Sequence, residues 1–250
     1  MGLIGGQVGY SILKIIAPRR KASSQSDDEG NTDTKIELFF GSEFFEEIKG
    51  KTIIDFGCGS GRQSVEMAQR GGAKVIGIDI QERLLESANQ HAAQCNVVDR
   101  CIFSNHTTEL ADIIISKDAF EHYSDPSEVL QTMASLLKPE GYVLAAFGPT
   151  WLHPYGGHLF SIFPWSHLLF SEEAQIRWRS DFKTDGASCF SEVEGGLNQL
   201  TISQFERIVA HSLFRFEWLE TVPIRGFSPF KTRALREIGS SIVRCKLSLK

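Results

Sequence analysis

The segment 52–70 constrains the fold more than any other part of this sequence. It begins with a short apolar run typical of a β-strand, and that run ends in an acidic residue, Asp55. Three glycines follow at alternate positions: Gly57, Gly59 and Gly61. The remainder has a helical pattern that stops at a glycine pair after residue 70. Because glycine lacks a Cβ and accepts a positive φ, a strand that turns through glycines into a helix is typical of a ligand cradle.

The spacing of these glycines separates two ligand classes. A dinucleotide fingerprint requires Gly-x-Gly-x-x-Gly, and the last position of that pattern holds Arg62 here. A carboxylate two residues before the first glycine disfavours a diphosphate and suits a cationic ligand. The sequence Asp-x-Gly-x-Gly-x-Gly resembles motif I of the class I S-adenosylmethionine (SAM)-dependent methyltransferases. The resemblance implies that this loop holds the amino-acid end of SAM through five residues: Asp55, Gly57, Cys58, Gly59 and Gly61.

The composition is typical of a globular enzyme. A chain of 250 residues with 42% hydrophobic and 23% charged residues can bury a sizeable core. The formal net charge of −5 leaves no general basic surface, which argues against nucleic acid as the main partner. The five cysteines form no C-x-x-C pair, and such a set predicts reduced thiols and a cytoplasmic location.

Residues 1–34 are predicted to be an N-terminal arm followed by a flexible linker. The run 1–17 is apolar, but it is too short and too interrupted by glycine to cross a bilayer, and a basic cluster follows at 19–21. Two interpretations remain open. The arm folds over the domain, or residues 1–21 rest on a membrane surface with the basic cluster facing lipid head groups. The polar run 22–34 has nothing to bury and is predicted to be the linker.

From residue 35 to residue 250 the sequence alternates between helical and strand patterns, which predicts one α/β domain. Ile36, Phe40, Phe44 and Ile48 recur every four residues and predict one helix face packed on the sheet. A further helix is predicted over 82–95. Strands are predicted at 52–54, 74–79, 101–104, 111–116 and 142–147.

The second predicted strand also ends in an acid, Asp79. Open α/β sheets bind ligands at the carboxyl ends of their strands, where a carboxylate can accept bonds from both hydroxyls of a ribose. This position resembles motif II of the same family, which implies that Asp79 binds the ribose of SAM and that Ile80 belongs to the same site. Asp79 is also a candidate N-cap of the following helix, and the two roles are not exclusive. After the third strand the family has an acid that binds adenine, whereas this chain has Asn105 and His106, so the adenine contact stays open.

The segment after the fourth strand, from Lys117 to Pro126, resembles motif IV of the family. It has the x-x-x-Glu-His-x-x-Asp-Pro form of the ubiquinone-biosynthesis-like methyltransferases, and the resemblance as a whole extends from about residue 36 to residue 148. It implies that Lys117 and Asp118 line the methyl end of SAM. A histidine beside a methyl-transfer site can remove the proton of the acceptor, so His122 is a candidate base, with a structural role as the alternative. Glu121 has the same two interpretations.

Residues 149–200 show no regular pattern and are rich in aromatic residues. Because long loops inside compact domains usually have a function, this segment is predicted to be an inserted substrate lid. Its aromatic side chains either line an acceptor site with apolar or ring character or build a small core of the lid itself. Three histidines also lie in it: His153, His158 and His167. Their spacing matches no compact zinc pattern, so no metal site is expected, and His158, between glycine-rich turns, is the preferred second candidate base.

The last fifty residues complete the expected domain. The sequence Thr-Ile-Ser-Gln at 201–204 is a capping box that opens a helix, and strands are predicted at 214–222 and 241–249. The connection between these strands is basic, with Lys231, Arg233 and Arg236. These cations either contact phosphate groups or form a solvated face.

These features predict a Rossmann-like α/β fold with a seven-stranded, mostly parallel sheet in the family's order 3-2-1-4-5-7-6. The resemblance implies a SAM-dependent methyltransferase that moves a methyl group to an oxygen or nitrogen of a small molecule. Three alternatives remain: a SAM-binding module without transfer activity, a nicotinamide-dependent oxidoreductase, and a membrane-associated methyltransferase with a lipid or quinone-like acceptor. The sequence does not name the acceptor or the oligomeric state.

Overall fold

A seven-stranded sheet organises the computed structural model, which describes residues 2–18 and 35–250. The strands are β1 (Thr52–Phe56), β2 (Lys74–Ile78), β3 (Cys101–Ser104), β4 (Ala111–Lys117), β5 (Leu137–Phe147), β6 (Phe214–Pro223) and β7 (Ser240–Leu249). Their order is β3-β2-β1-β4-β5-β7-β6. Strand β7 runs antiparallel to β5 and to β6, and the remaining pairs are parallel. The predicted fold class and strand order are confirmed.

Helices cover both faces of this sheet. They are α1 (Gly6–Ile16), α2 (Lys35–Phe40), α3 (Phe44–Glu47), α4 (Arg62–Arg70), α5 (Glu82–Gln94), α6 (Pro126–Ser135), α7 (Ser166–Leu169), α8 (Glu172–Arg179), α9 (Ile202–His211) and α10 (Arg236–Gly239). The predicted capping box opens α9, where the Thr201 hydroxyl accepts from the amide of Gln204 and the Gln204 side chain accepts from the amide of Thr201. Asp125 caps α6, and Pro126 follows it as the first helical residue.

Consecutive residues of the central strands point into two different cores. Ile53 packs with α2, α3 and α4 on one face, and Ile54 packs with α6 and α9 on the other. The pairs Val75 with Ile76 and Ile113 with Ile114 divide in the same way. Because both faces are covered, these strands are continuous apolar runs rather than alternating ones.

The apolar residues 36–48 do not form the single helix that their spacing predicts. Helix α2 ends at Phe40, and α3 begins only at Phe44. Gly41 ends α2 because it adopts a φ of 90° and its amide bonds back to the carbonyl of Glu37. Ile36, Phe44 and Ile48 are nevertheless all buried against the sheet, so the predicted packing is correct and the predicted continuity is wrong.

The 149–200 segment forms a third core together with the N-terminal arm. Leu13 of α1 packs with Phe160, Phe170, Trp178 and Phe190 of the segment. Backbone bonds join the two, because the amide of Ile4 donates to Leu169 and the carbonyl of Ile4 accepts from Ser171. Most of the predicted aromatic set therefore builds this core, while Tyr155, Phe163 and Trp165 stay largely exposed.

The described part of the arm agrees with the interpretation that it folds over the domain. The Trp178 indole donates to the carbonyl of Ala17 at 2.9 Å, and the Tyr10 hydroxyl bonds to Asp181. The predicted linker 22–34 and the basic cluster 19–21 lie outside the described residues. Within the described ranges, the helices are too short or too polar to cross a bilayer.

We expect Leu13→Ala to destabilise this third core. Leu13 is fully buried, and truncation of a buried leucine to alanine costs about 2–5 kcal/mol in free energy of unfolding. Ile15, on the opposite face of α1, is 77% exposed and serves as the control, since Ile15→Ala should change stability by less than about 0.5 kcal/mol. Urea unfolding measures both values. Equal values for the two variants would contradict the packing of α1 on the 149–200 segment.

Candidate active site

The glycine loop between β1 and α4 is built from three residues in the left-handed region. The φ angles of Gly57, Gly59 and Gly61 are 84°, 54° and 74°, at which an L side chain is strained. A Cβ on Gly61 would lie 2.7 Å from the Cβ of Ala88 on α5. A Cβ on Gly59 would meet no atom within 4 Å. Helix packing therefore requires glycine at position 61, whereas Gly59 borders open space that a ligand can enter.

Hydrogen bonds to the end of β2 fix the path of this loop. The amides of Gly57 and Cys58 both donate to the carbonyl of Ile78, at 2.8 and 3.0 Å. The Cys58 thiol is buried, and this burial raises its pKa. A thiol with a raised pKa is a poor nucleophile at neutral pH, so Cys58 serves as a small residue that fits the loop.

Asp79 connects the loop to the start of α5. One of its carboxylate oxygens accepts from the amide of Gly59 and the other accepts from the amide of Gln81, each at 2.9 Å. Gln81 rather than Asp79 is the N-cap residue of α5, so Asp79 lies two residues before the cap and stabilises the start of the helix through the amide of Gln81. Each oxygen keeps a further lone pair with which it can accept a ribose hydroxyl. Ile80, next in the chain, is 89% exposed at the same edge.

Asp55 lies beneath the loop rather than on its surface. It is 2% exposed and accepts a 2.5 Å hydrogen bond from the hydroxyl of Ser64 in the first turn of α4. Burial raises the pKa of this carboxyl to about 6, although the bond from Ser64 and the positive charge of Lys117 both act to lower it. The structure shows Asp55 anchoring the start of α4, and its contact with the amino-acid end of SAM stays a prediction.

Lys117 and Asp118 form an ion pair at the end of β4. The Lys117 amine is nearly buried and lies 5.4 Å from the centre of the Phe39 ring, which belongs to α2. Asp118 adopts a φ of 50°, and its amide donates to the carbonyl of Ala146 on β5. The two predicted residues therefore bond to each other, and their contact with the methyl end of SAM stays a prediction.

Asn105 and His106 lie after β3 at the same edge of the sheet. Both side chains are exposed, and the Asn105 amide oxygen is 2.6 Å from Nδ1 of His106. Because an amide oxygen only accepts hydrogen bonds, Nδ1 of His106 donates this bond. The structure does not choose between these two residues as the adenine contact.

Glu121 is a buried carboxyl with one unpartnered oxygen. Its side chain is 3% exposed, and Oε1 accepts from the amide of Gly148 at 3.2 Å. Oε2 is buried and has no hydrogen-bond partner. Burial raises the pKa of this carboxyl to about 8, so it is mainly neutral at pH 7. A neutral carboxyl can donate a hydrogen bond from the oxygen that lacks a partner.

His122 is held with one ring nitrogen free. Its Nδ1 lies 2.9 Å from the carbonyl of Gly196, and a carbonyl oxygen only accepts. Nδ1 must therefore carry the proton, which leaves the lone pair of the neutral ring on Nε2. A Cβ on Gly196 would lie 2.8 Å from the carbonyl oxygen of His122, and Gly196 has a φ of 72°, so glycine is required for this approach.

His158 differs from the other two histidines of the 149–200 segment. His167 is satisfied at both nitrogens, because Nε2 donates to the carbonyl of Trp151 and Nδ1 contacts the hydroxyl of Ser161. His153 accepts from the amide of Tyr155 at 3.0 Å. By contrast, Nε2 of His158 is buried without a partner, and burial lowers the pKa of this imidazole to about 4. His158 is thus a neutral imidazole at pH 7.

Both predicted candidate bases converge on Glu121. The ring centres of His122 and His158 are 5.2 Å apart, and one donor atom from each of the three side chains lies within 4.8 Å of the others. This cluster, Glu121–His122–His158, contains two buried polar atoms without partners, which a hydroxyl group, a water molecule or a cation would satisfy. Its donor types also suit a divalent metal ion. Spacing along the chain does not reveal this set, because His158 lies 36 residues beyond His122.

Two features of the site are absent from any sequence motif. The 149–200 segment is held over the cluster by Asn198, whose side-chain amide donates to the carbonyls of Phe120 and Tyr123. Below the glycine loop, the Tyr123 hydroxyl donates to the carbonyl of Phe56 at 2.8 Å. All three bonds join parts of the chain that are far apart in sequence, so no local pattern indicates them. In the sequence, the pair Gly195 and Gly196 is the one signal that the 149–200 segment approaches His122 closely.

Comparisons with known proteins agree with this geometry. Residues 47–148 match the family model described as "Methyltransferase domain". A ubiquinone biosynthesis O-methyltransferase from Neisseria meningitidis serogroup C is 38% identical over 104 residues, which is 39% of this chain and 44% of that protein. The enzyme of the same name from Haemophilus ducreyi is 34% identical over 157 residues, which is 51% of this chain and 65% of that protein. The chain thus spans about half the length of the curated relatives it matches.

The fold has solved counterparts. A SAM-dependent methyltransferase from Aquifex aeolicus superposes with a TM-score of 0.52 at 14% sequence identity. The superposition covers 86% of this chain and 93% of that one. At this level of identity the likeness concerns the fold alone.

The stability of Glu121→Gln should depend less steeply on pH than that of the parent chain. In the unfolded chain this carboxyl ionises near 4.5, whereas in the folded chain it keeps its proton to about 8. The group therefore stabilises the fold below pH 4.5, and its contribution is lost as the pH rises toward 8. Glutamine stays neutral throughout. We expect the melting temperature of the variant, minus that of the parent, to rise between pH 5 and pH 8.

Calorimetry at a series of pH values measures this difference. His158 has the opposite effect, because its lowered pKa makes the fold less stable as the pH falls from 6.5 toward 4. This effect is present in both proteins and cancels in the difference between their melting temperatures. A difference that is flat across the range would contradict a buried, neutral Glu121.

Proposed function

We propose that this chain is a class I SAM-dependent methyltransferase that transfers the methyl group of SAM to a hydroxyl oxygen of a small molecule. The observation that carries the proposal is the Glu121–His122–His158 cluster at the carboxyl edge of the sheet. The choice of oxygen over nitrogen is supported by the name O-methyltransferase of both relatives. The five free cysteines suit a reducing, cytoplasmic location, which we include in the proposal.

The residues of the glycine loop fit SAM. Gly59 faces open space, Asp79 has free lone pairs beside it, and the exposed Ile80 offers an apolar surface to the adenine ring. We assign Asp79 to the ribose. We assign the ends of β1 and β4 to the amino-acid and methyl portions of SAM, through Asp55, Gly57, Lys117 and Asp118. When bound, SAM supplies a methyl group that its sulfonium already activates.

The cluster supplies the proton chemistry of the acceptor. With SAM held in the cradle, the acceptor hydroxyl would lose its proton as it accepts the methyl group, and S-adenosylhomocysteine would be the second product. The hydroxyl proton passes to an imidazole nitrogen, for which Nε2 of His158 and Nε2 of His122 are available. The neutral carboxyl of Glu121 orients the hydroxyl by hydrogen bonding. Alignment of nucleophile and methyl group supplies the larger part of the acceleration.

We assign the 149–200 segment to the role of substrate lid. It covers the cluster, because His158 and the Gly196 carbonyl both come from it and Asn198 bonds to the loop at 120–123. Nε2 of His158 and Oε2 of Glu121 are closed off from solvent. An acceptor therefore enters when the segment moves, and its closure then excludes water from the reacting atoms.

A second candidate is a membrane-associated enzyme with a quinone-like acceptor. The arm leaves four apolar side chains exposed: Leu3, which precedes α1, and Val8, Ile15 and Ile16 of α1. The basic cluster 19–21 follows this helix in the sequence. An apolar face next to cations suits an anionic lipid surface. Flotation with phosphatidylglycerol vesicles tests this candidate, and Val8→Ser with Ile15→Ser should abolish co-flotation if it is correct.

Gly59→Ala should weaken SAM binding, with a cost in folding that is limited to backbone strain of about 1–2 kcal/mol. The new Cβ meets no protein atom but occupies the space assigned to the ligand, and it sits at a positive φ. We expect at least a tenfold rise in Kd by calorimetric titration with SAM, with a melting temperature that falls less than in Gly61→Ala. Gly61→Ala is the contrasting variant, because its Cβ collides with Ala88 and Phe103 and should lower the melting temperature. Unchanged affinity in Gly59→Ala would contradict the assigned cradle.

Loss of either cluster imidazole should reduce turnover while SAM binding persists. General-base catalysis contributes about 10²–10⁴-fold, so His122→Gln or His158→Gln should lower kcat by about that factor against a panel of phenols and other hydroxyl compounds. Release of S-adenosylhomocysteine is the readout, and His211→Gln, at an exposed site on α9, is the control.

Three results would change the assignment. Full turnover in both variants would remove the base from the proposal. Turnover that a chelator abolishes and Mg²⁺ restores would assign the cluster to a cation that polarises the acceptor. SAM binding without turnover on any acceptor would favour a SAM-binding module.

A further inference from the structure

A cavity of about 430 Å³ lies on the flank of the sheet away from the glycine loop, between α9, β6 and the connection from β6 to β7. Its walls are formed by Glu206, Ala210, Phe216, Lys231, Arg233 and Arg236. Four strand spacings separate β6 from β1, which corresponds to about 19 Å. The cavity thus lies away from the cradle, and its walls share no residue with the cluster, so it is separate from both.

Positive charge exceeds negative charge around this cavity. Arg236 pairs with Glu206 at 2.5 Å, and Glu206 is the single carboxylate of the wall. Lys231 and Arg233 make no ion pair with any residue that the structure describes. The chain as a whole has a formal charge of −5, so the local excess opposes the overall sign. Unpaired cations on a surface are ordinary, and a ligand site requires a further observation.

That observation is the buried nitrogen of Arg236. Its side chain is 13% exposed, and Nε is buried with no hydrogen-bond partner. A buried donor without an acceptor costs roughly 1–3 kcal/mol, and more when the group is charged. Because the same side chain lines the cavity, a rotation of its guanidinium would bring Nε to an anionic oxygen held there.

The segment that carries these cations is held firmly against α9. Glu237 accepts from the amides of Ile202 and Ser203, at 3.0 and 2.8 Å, and so caps α9 from another element. Gly239 packs on the ring of Phe230, where a Cβ would lie 2.1 Å from a ring carbon. The connection from β6 to β7 is thus fixed to the rest of the domain at α10, the helix that begins with Arg236 of the cavity wall.

We propose that this cavity binds the phosphate group of an organic phosphate. Lys231 and Arg233 supply the charge, and Nε of Arg236 supplies the buried donor. Arginine suits this role because its planar guanidinium presents several donors to phosphate oxygens. Phe216 gives the organic part of the ligand an apolar wall. A small phosphorylated compound and a phospholipid head group share this chemistry, and the experiment distinguishes them.

The test is titration of the full chain with inorganic phosphate, with phenyl phosphate and with phosphatidylcholine vesicles that contain or lack phosphatidylglycerol, at constant ionic strength. We expect saturable binding of phenyl phosphate that is tighter than that of inorganic phosphate, because only phenyl phosphate contacts Phe216. The double variant Lys231→Gln, Arg233→Gln should lose at least tenfold in affinity. Both residues lie on the surface, so its melting temperature without ligand should match that of the parent chain.

Two further variants make the result specific. Lys49→Gln with Lys74→Gln removes the same charge from exposed ion pairs elsewhere and should leave binding unchanged. Glu206→Gln removes the one carboxylate and should tighten binding several-fold. Binding of soluble phosphates assigns a small ligand, whereas binding of phosphatidylglycerol vesicles alone assigns a lipid head group. Equal affinity in the parent and in Lys231→Gln, Arg233→Gln, or no saturable binding of any probe, would overturn the proposal.

Discussion

The site depends first on the two amides of Gly57 and Cys58 that share the carbonyl of Ile78. This bond pair ties the turn after β1 to the end of β2 before any side chain contributes. It brings Asp79 to the amide of Gly59, so the acid and the loop hold each other in place. It also places the start of α4 so close to α5 that only glycine fits at position 61. Backbone geometry therefore builds the cradle, and few side chains are needed to complete it.

The fold and the cofactor cradle could be predicted because their signals are local. Each central strand is a continuous apolar run, and each turn into a helix is marked by a glycine or a capping residue. The match of residues 47–148 to the methyltransferase-domain model agrees with the family predicted from the loop at 57–61, and SAM as the cofactor is part of the proposed function. The error at Gly41 is equally local, since one glycine between two apolar turns ended a helix that the spacing alone would have continued.

The cluster could be predicted only in its members and not in its arrangement. His122 and His158 each stand out as candidates, but their meeting depends on how the 149–200 segment returns to the loop at 120–123. That path is set by the third core, in which Leu13 from the start of the chain takes part. The aromatic residues suggested a substrate wall because composition does not distinguish a wall from a core. Glu121 joins the two histidines as a neutral carboxyl because it is buried. Burial is a property of the folded chain, so the sequence alone does not indicate this role.

The neutrality of two groups in the cluster has a consequence for selectivity. A neutral carboxyl at Glu121 presents a donor, and the neutral imidazole of His158 presents an acceptor, in a region closed off from solvent. A hydroxyl group can bond to both at once, because its oxygen accepts from the Glu121 carboxyl while its proton is donated to the His158 imidazole. A carboxylate would bring an unpaired charge into this region at a large desolvation cost. If the cluster receives the acceptor as we propose, the enclosure would sort molecules by electrical charge, disfavouring organic acids whose reacting group is ionised and favouring uncharged alcohols and phenols of similar size.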